Sequence, residues 1–211
     1  IAPPFVCMKP DQDYLFNMYR KVIDASPLPV GLYHQGKSGA VSLAPETVSR
    51  LMLLPNVVFI KDSACNQDDT RAILGMRDRM CEDKAFSAYS GDEFNCVGAA
   101  QQGYDGMMIG AGCFNGRMAK SIFELVHSGN IEDAKRLQAR LNTLMYDCFG
   151  GPDIPCWLAG EKQMLVEMGI FCTNSCLMNY HLTGECAEAI RAAAVREAEW
   201  LYPQQEALCR Q

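Results

Sequence analysis

Three short apolar runs end at Tyr33, Lys61 and Ser90, 28 and then 29 residues apart. A strand, a crossover helix and two short loops need about that length, so the recurrence predicts βα units feeding a parallel sheet. The runs are Leu28 to Tyr33, Asn56 to Lys61 and Phe86 to Tyr89. Val57, Val58, Phe59 and Ile60 make the second apolar throughout, as a strand buried on both faces would be. Helical stripes lie between them. Asp11 to Ala25 carries Tyr14, Leu15, Met18, Tyr19, Val22 and Ile23, Pro45 to Leu54 opens on proline, and Asn66 to Asp78 and Asp92 to Gln102 follow. Tyr104 to Gly110 reads as a further strand and Ile1 to Met8 as one more, so five are expected. Beyond Asn115 the pattern is helical: Arg117 to His127, Ile131 to Phe149, Pro155 to Met168 and Gly184 to Leu201.

Two architectures fit this order, an open five-stranded parallel sheet or part of an eight-stranded (β/α)8 barrel. The chain opens inside an apolar strand, which favours the barrel with its first three βα units lying upstream. On that reading residues 1–128 are the C-terminal part of the barrel and 129–211 a helical extension.

Charge narrows the partners. Nineteen basic residues against twenty-five acidic give a net charge of -6, and no Lys/Arg run gathers on one face, so nucleic acid and anionic membranes are poor partners. No apolar run approaches the roughly 18 residues that cross a bilayer, and no secretory-signal pattern opens the sequence; a cytoplasmic protein is expected. The eleven cysteines contain no C-x-x-C pair, and Cys172 and Cys176 lack a second pair or a nearby histidine. Buried thiols in a reducing compartment are expected, not a zinc site.

Lys61 ends its strand at the carboxyl edge, where barrel enzymes keep their catalytic groups. Desolvation there favours the free amine, the form that attacks a ketone to make a Schiff base. Position alone does not separate this from a lysine reaching to water. Tyr33 closes the preceding strand at the same level, where a phenol can pass a proton or simply be buried. Ser90-Gly91-Asp92-Glu93 joins close backbone approach at Gly91 to two carboxylates that can bind hydroxyls or cap a helix.

These residues carry a resemblance that runs nearly without gaps from a fourth barrel strand to the C-terminus. Leu32-Tyr33 is followed eight residues later by Val41-Ser42-Leu43, then Pro45-Glu46-Thr47-Val48. Pro55 to Ser63, Ser90 to Glu93, Gly103-Tyr104-Asp105-Gly106 and Ser128-Gly129-Asn130 continue it. In these motifs the chain resembles the pyruvate-dependent class I lyases of the dihydrodipicolinate synthase and N-acetylneuraminate lyase superfamily. The resemblance implies a TIM barrel with extra C-terminal helices, with Lys61 as the Schiff-base lysine and Tyr33 as the proton-relaying phenol. It implies Gly91 and Met108 beside bound pyruvate, and Ser63, Asp92 and Glu93 where sugar lyases hold substrate hydroxyls. It implies chemistry without metal or organic cofactor, and a homo-oligomer, usually a tetramer.

Two departures bear on the substrate. The arginine that clamps the carboxylate of aspartate semialdehyde in the synthases is replaced by Ser38, and the neighbouring Lys37 lacks the planar fork. The tyrosine that a neighbouring subunit lends to the relay has no hydroxyl counterpart in Pro4-Phe5-Val6-Cys7. The expected activity is therefore a lyase or aldolase that breaks or makes a carbon–carbon bond in a 2-oxo acid, with pyruvate and an aldehyde as the two halves. A dihydrodipicolinate synthase or a dehydratase of 2-oxo-3-deoxy sugar acids shares the imine step, and a non-catalytic 2-oxo acid binding protein is the reading of another class.

Overall fold

The computed structural model describes residues 1, 11–39, 41–80, 84–178 and 180–202. Helices α1 (Gln12–Ala25), α2 (Pro45–Met52), α3 (Gln67–Met80) and α4 (Cys96–Gln102) alternate with strands β1 (Val30–His34), β2 (Val57–Asp62), β3 (Ser87–Ser90) and β4 (Gly106–Met107). The strands form one parallel sheet in the order β1-β2-β3-β4. Sequential parallel strands joined by helices are an arc of a (β/α)8 barrel. Of the fifth strand expected over Ile1 to Met8, only Ile1 is described. Its N–H donates to the Gly31 carbonyl at 2.6 Å and its carbonyl accepts the Tyr33 N–H at 2.8 Å, a parallel bridge centred on Leu32.

Local chemistry sets the element ends. The Asp11 carboxylate accepts the Tyr14 N–H at 2.7 Å and starts α1, whose buried stripe is Leu15, Tyr19 and Ile23. Tyr14 and Val22, placed on that stripe by the sequence pattern, are exposed. The first strand begins at Val30 and not at Leu28, which is exposed, because Ser26 Oγ and the Asn56 amide occupy the Leu28 backbone ahead of it. A helix expected from Asp92 splits into a 3-10 turn, Glu93–Asn95, and α4, because Asn95 leaves helical backbone to cap the Gly98 N–H at 3.1 Å.

Over the four strands of this chain the two faces of the sheet differ in burial. His34, Asp62 and Ser90 lie in register and are buried, as are Leu32, Ile60 and Ala88 one pleat earlier. The alternating set, Gly31, Tyr33, Phe59, Lys61, Ser87 and Tyr89, is only half-buried. The first face packs against helices. The second is the concave side of an arc, and four strands do not enclose it.

Two compact units divide the chain, Ile1–Ile109 and Gly110–Gln211. The second contains α5 (Gly112–His127), α6 (Ile131–Phe149), α7 (Trp157–Glu167), α8 (Gly184–Arg196) and α9 (Ala198–Leu201). Within that unit α5 packs against α6 and α9. Met118, Ile122, Leu141, Leu144, Met145, Met164 and Ile190 fill that unit's core. Gly160 lets α7 approach α6, since a Cβ there would lie 1.6 Å from the Cys148 carbonyl oxygen. Gly184 to Leu201, expected as one helix, breaks at Glu197. That carboxylate is buried and accepts from Arg140 Nε at 2.6 Å and Arg196 Nε at 2.8 Å.

The cysteines are more varied than expected. Of the eight described, all free, Cys96, Cys148, Cys156 and Cys186 are buried, while Cys65, Cys113 and Cys172 are exposed and Cys176 is intermediate. Among the described residues no group of three or more His, Cys, Asp or Glu is arranged to hold a metal ion, and no helix is long and apolar enough to cross a membrane.

Candidate active site

Strand register builds the site. Tyr33 pairs with Lys61, Lys61 with Tyr89, and Tyr89 with Gly106, so one row of side chains crosses the concave face at the carboxyl edge. Lys61 Nζ stands 4.5 Å from the centre of the Tyr33 ring. Tyr89 is held by an edge-on contact with Phe59, ring centres 5.9 Å apart.

The loops after the strands close around the lysine. The Ser63 N–H donates to the His34 carbonyl at 2.8 Å, the Gly91 N–H to the Asp62 carbonyl at 2.7 Å, and the Met108 N–H to the Ser90 carbonyl at 2.8 Å. These bonds continue the ladder past the last strand residues and fix the loop backbones. Gly91 is needed where it stands: a Cβ would meet Ser63 Oγ at 2.0 Å and Lys61 Cε at 3.0 Å. Lys61, Tyr33, Ser63 and Gly91 are therefore brought together, and the partly exposed Met108 follows the last strand.

The acidic pair divides. Asp92 lines a polar cavity of about 200 Å³ with Asp62, Cys65, Thr70, Ser90 and Tyr104, and among the described residues neither Lys61 nor Tyr33 lines it. Burial pushes the Asp92 carboxyl above its ordinary value, opposed by hydrogen bonds from the Phe94 N–H and from Cys65. Glu93 opens the 3-10 turn and is half-buried. Ser38 ends the turn Gly36–Ser38 after β1. His34 lies on the helix-facing side with Nε2 3.6 Å from Asp69 Oδ2, too long for a hydrogen bond, and does not face the concave side.

Sequence reasoning missed Tyr89 and Asp62. Taking Ser90 as the strand end hid the row, although Tyr33, Lys61 and Tyr89 are spaced by 28 residues each and so share one strand face. Lys84, which the sequence places in a helix or loop as a lysine that stays protonated, is half-buried. Its ammonium donates to the Met52 and Leu54 carbonyls at 3.0 and 2.6 Å, and burial lowers its pKa, but it precedes β3 at the opposite edge of the sheet.

A lysine and a tyrosine paired on adjacent strand ends, on the concave face of a parallel βα arc, define a barrel protein with an amine at its carboxyl edge. The family model of the dihydrodipicolinate synthetase family matches residues 1–181, and the chain belongs to that family. It is 30% identical over 162 residues to the 4-hydroxy-tetrahydrodipicolinate synthase of Listeria monocytogenes serotype 4a, covering 77% of this chain and 52% of that protein. The chain thus spans about half the length of the curated relatives it matches. The same fold occurs in CdNal from Clostridium difficile, solved in complex with mannosamine, with a TM-score of 0.77, 20% identity, and coverage of 92% of this chain and 63% of that one. A prophage protein of the dihydrodipicolinic acid synthase family from E. coli K12, in complex with pyruvate, superposes with a TM-score of 0.73 at 18% identity, covering 92% of this chain and 64% of that one.

Proposed function

We propose that this chain supplies the Schiff-base half of a pyruvate-dependent class I lyase. The observation that carries the reading is the in-register pairing of Tyr33 with Lys61, with the amine 4.5 Å from the phenol ring. Lys61 Nζ attacks the C2 carbonyl of a 2-oxo acid, and loss of water leaves an imine. When the bond beyond C3 breaks, its electron pair passes into the imine and gives an enamine, while Tyr33 accepts the hydroxyl proton of the departing aldehyde. Protonation at C3 and hydrolysis then release pyruvate and the free amine. Run backwards, the same steps condense pyruvate with an aldehyde.

Gly91 and Met108 are the proposed backbone neighbours of the imine, and Ser63 Oγ and Lys61 Cε flank the space that a Cβ at Gly91 would take. Glu93 and Asp92 are the proposed partners of substrate hydroxyls further along, Asp92 from the side of the polar cavity. A homo-oligomer working in the cytoplasm belongs to the same reading, and size-exclusion chromatography with light scattering tests the assembly.

The curated relatives are named synthases, which supports dihydrodipicolinate synthesis as the second reading. Ser38 argues against it, because a hydroxyl cannot give the bidentate grip of an arginine on a second carboxylate. Assaying the full-length protein for aldol cleavage of polyhydroxy 2-oxo acids beside condensation of pyruvate with aspartate semialdehyde separates the two. Faster condensation than cleavage reverses the order.

A further inference from the structure

Asp62 follows Lys61 directly and is only 3% exposed, yet the proposed reaction gives it nothing to do. A buried carboxylate is expensive unless its oxygens are matched, and here they are. Oδ1 accepts the Ala64 N–H at 2.9 Å and turns the chain after β2. Oδ2 accepts the hydroxyl of Tyr104 at 2.6 Å, and Tyr104 is itself 4% exposed. The same hydroxyl lies 3.0 Å from Thr70 Oγ1. The Asp62 carbonyl takes the Gly91 N–H at 2.7 Å, and Gly91 is the residue whose missing Cβ makes room for Lys61 Cε and Ser63. One residue thus ties together the lysine strand, the loop that turns away from it, the glycine wall and, through Tyr104, the entry to β4.

A short apolar side chain would fill the space, so what the carboxylate adds is two directed bonds, one of them charge-assisted. Tyr104 is kept a donor throughout the working range, since burial and the facing Asp62 both raise its pKa. We propose that Asp62, held by Tyr104, is a positioning residue that fixes the Lys61 amine and the Gly91 backbone in attacking geometry toward a 2-oxo acid. The inference rests on Lys61 being the imine-forming residue.

The test is the rate at which borohydride traps pyruvate on Lys61 of the full-length protein, measured against pyruvate concentration in Asp62→Asn, Tyr104→Phe, the double variant and Thr70→Val. Loss of a bond to a charged group predicts a maximal rate about tenfold lower in Asp62→Asn and in Tyr104→Phe. The half-saturating pyruvate concentration should stay within about twofold, because the pair orients the amine and does not touch the ligand. Since the two act as one unit, the double variant should be about as slow as the slower single variant. Thr70→Val removes only the second contact of the Tyr104 hydroxyl and should slow trapping less than Tyr104→Phe does.

A merely structural pair would lower the melting temperature and leave the rate of the folded protein unchanged. Parent-like rates in both single variants overturn the inference while the site reading stands. Loss of the folded sheet in both, read by near-ultraviolet circular dichroism, overturns it too, because Asp62 would then be holding the fold and not the amine. A parent that traps no pyruvate overturns the site reading and the inference with it.

Discussion

Lys61 Nζ lies 4.5 Å from the centre of the Tyr33 ring, on the strand pairing that sets the two residues opposite one another. The ring and the hydroxyl of Tyr33 therefore have separable effects. Tyr33→Phe keeps the ring beside the lysine and removes only the hydroxyl, the proposed proton carrier. It should still form the pyruvate adduct while losing turnover by a factor of roughly 10² to 10⁴, the usual range for a removed general acid or base. Single-turnover trapping compared with steady-state rates checks this, and equal losses in both would contradict a relay role.

Gly91→Ala should damage the site through Ser63. The added methyl would lie 2.0 Å from Ser63 Oγ and 3.0 Å from Lys61 Cε, so one of them must shift. A displacement near 1 Å costs about a hundredfold in rate, and overpacking costs about 1–3 kcal/mol in stability. Adding Ser63→Ala removes the nearer clash and should restore part of both. Thermal unfolding and turnover of the single and double variants decide it.

The Asp92 carboxyl is held above its ordinary value of 3.8 by burial. A folded-state pKa above the unfolded one means that the folded chain binds more protons, so stability falls as pH rises from the unfolded value through the folded one. Asp92→Asn should therefore raise the melting temperature at pH 7 and give no gain near pH 3. A gain that is the same at both pH values would show that the carboxylate's charge is not what matters.

In the helical unit, Glu197 is 1% exposed and accepts from both Arg140 and Arg196. Glu197→Ala takes one acceptor from Arg140 and one from Arg196, but Arg140 keeps Glu199 at 2.8 Å and Arg196 keeps Asp147 at 2.7 Å, so the loss should be about 1.5 kcal/mol, the low end for hydrogen bonds to a charged group. Urea unfolding measures it.

Much of this was legible in the sequence because strand period and barrel geometry are local rules. Ile131–Phe149 is found as a helix with the bounds its apolar stripe predicts, and Tyr33 and Lys61 fall at the carboxyl edge as their apolar runs require. The misses have one physical source, namely that burial depends on which elements cover a face. Val57 to Ile60 reads as a doubly buried strand, yet Phe59 and Lys61 look onto the open side of an arc. The partnership of Asp62 with Tyr104, 42 residues apart, is a tertiary hydrogen bond for which neither residue carries a sequence signal. Lys84 makes the same point, because only the fold shows its ammonium on two carbonyls.

The central claim is that Lys61 is the amine that meets the 2-oxo acid. Incubating the full-length protein with pyruvate and borohydride, then mapping the modified peptide by mass spectrometry, tests it with a built-in control. Burial lowers the pKa of Lys84, but its ammonium is committed to the Met52 and Leu54 carbonyls at the far edge of the sheet. The account predicts an irreversible adduct on Lys61, none on Lys84 or any other lysine, and none in Lys61→Ala. An adduct on a different lysine, or no adduct with Lys61 intact, would contradict it.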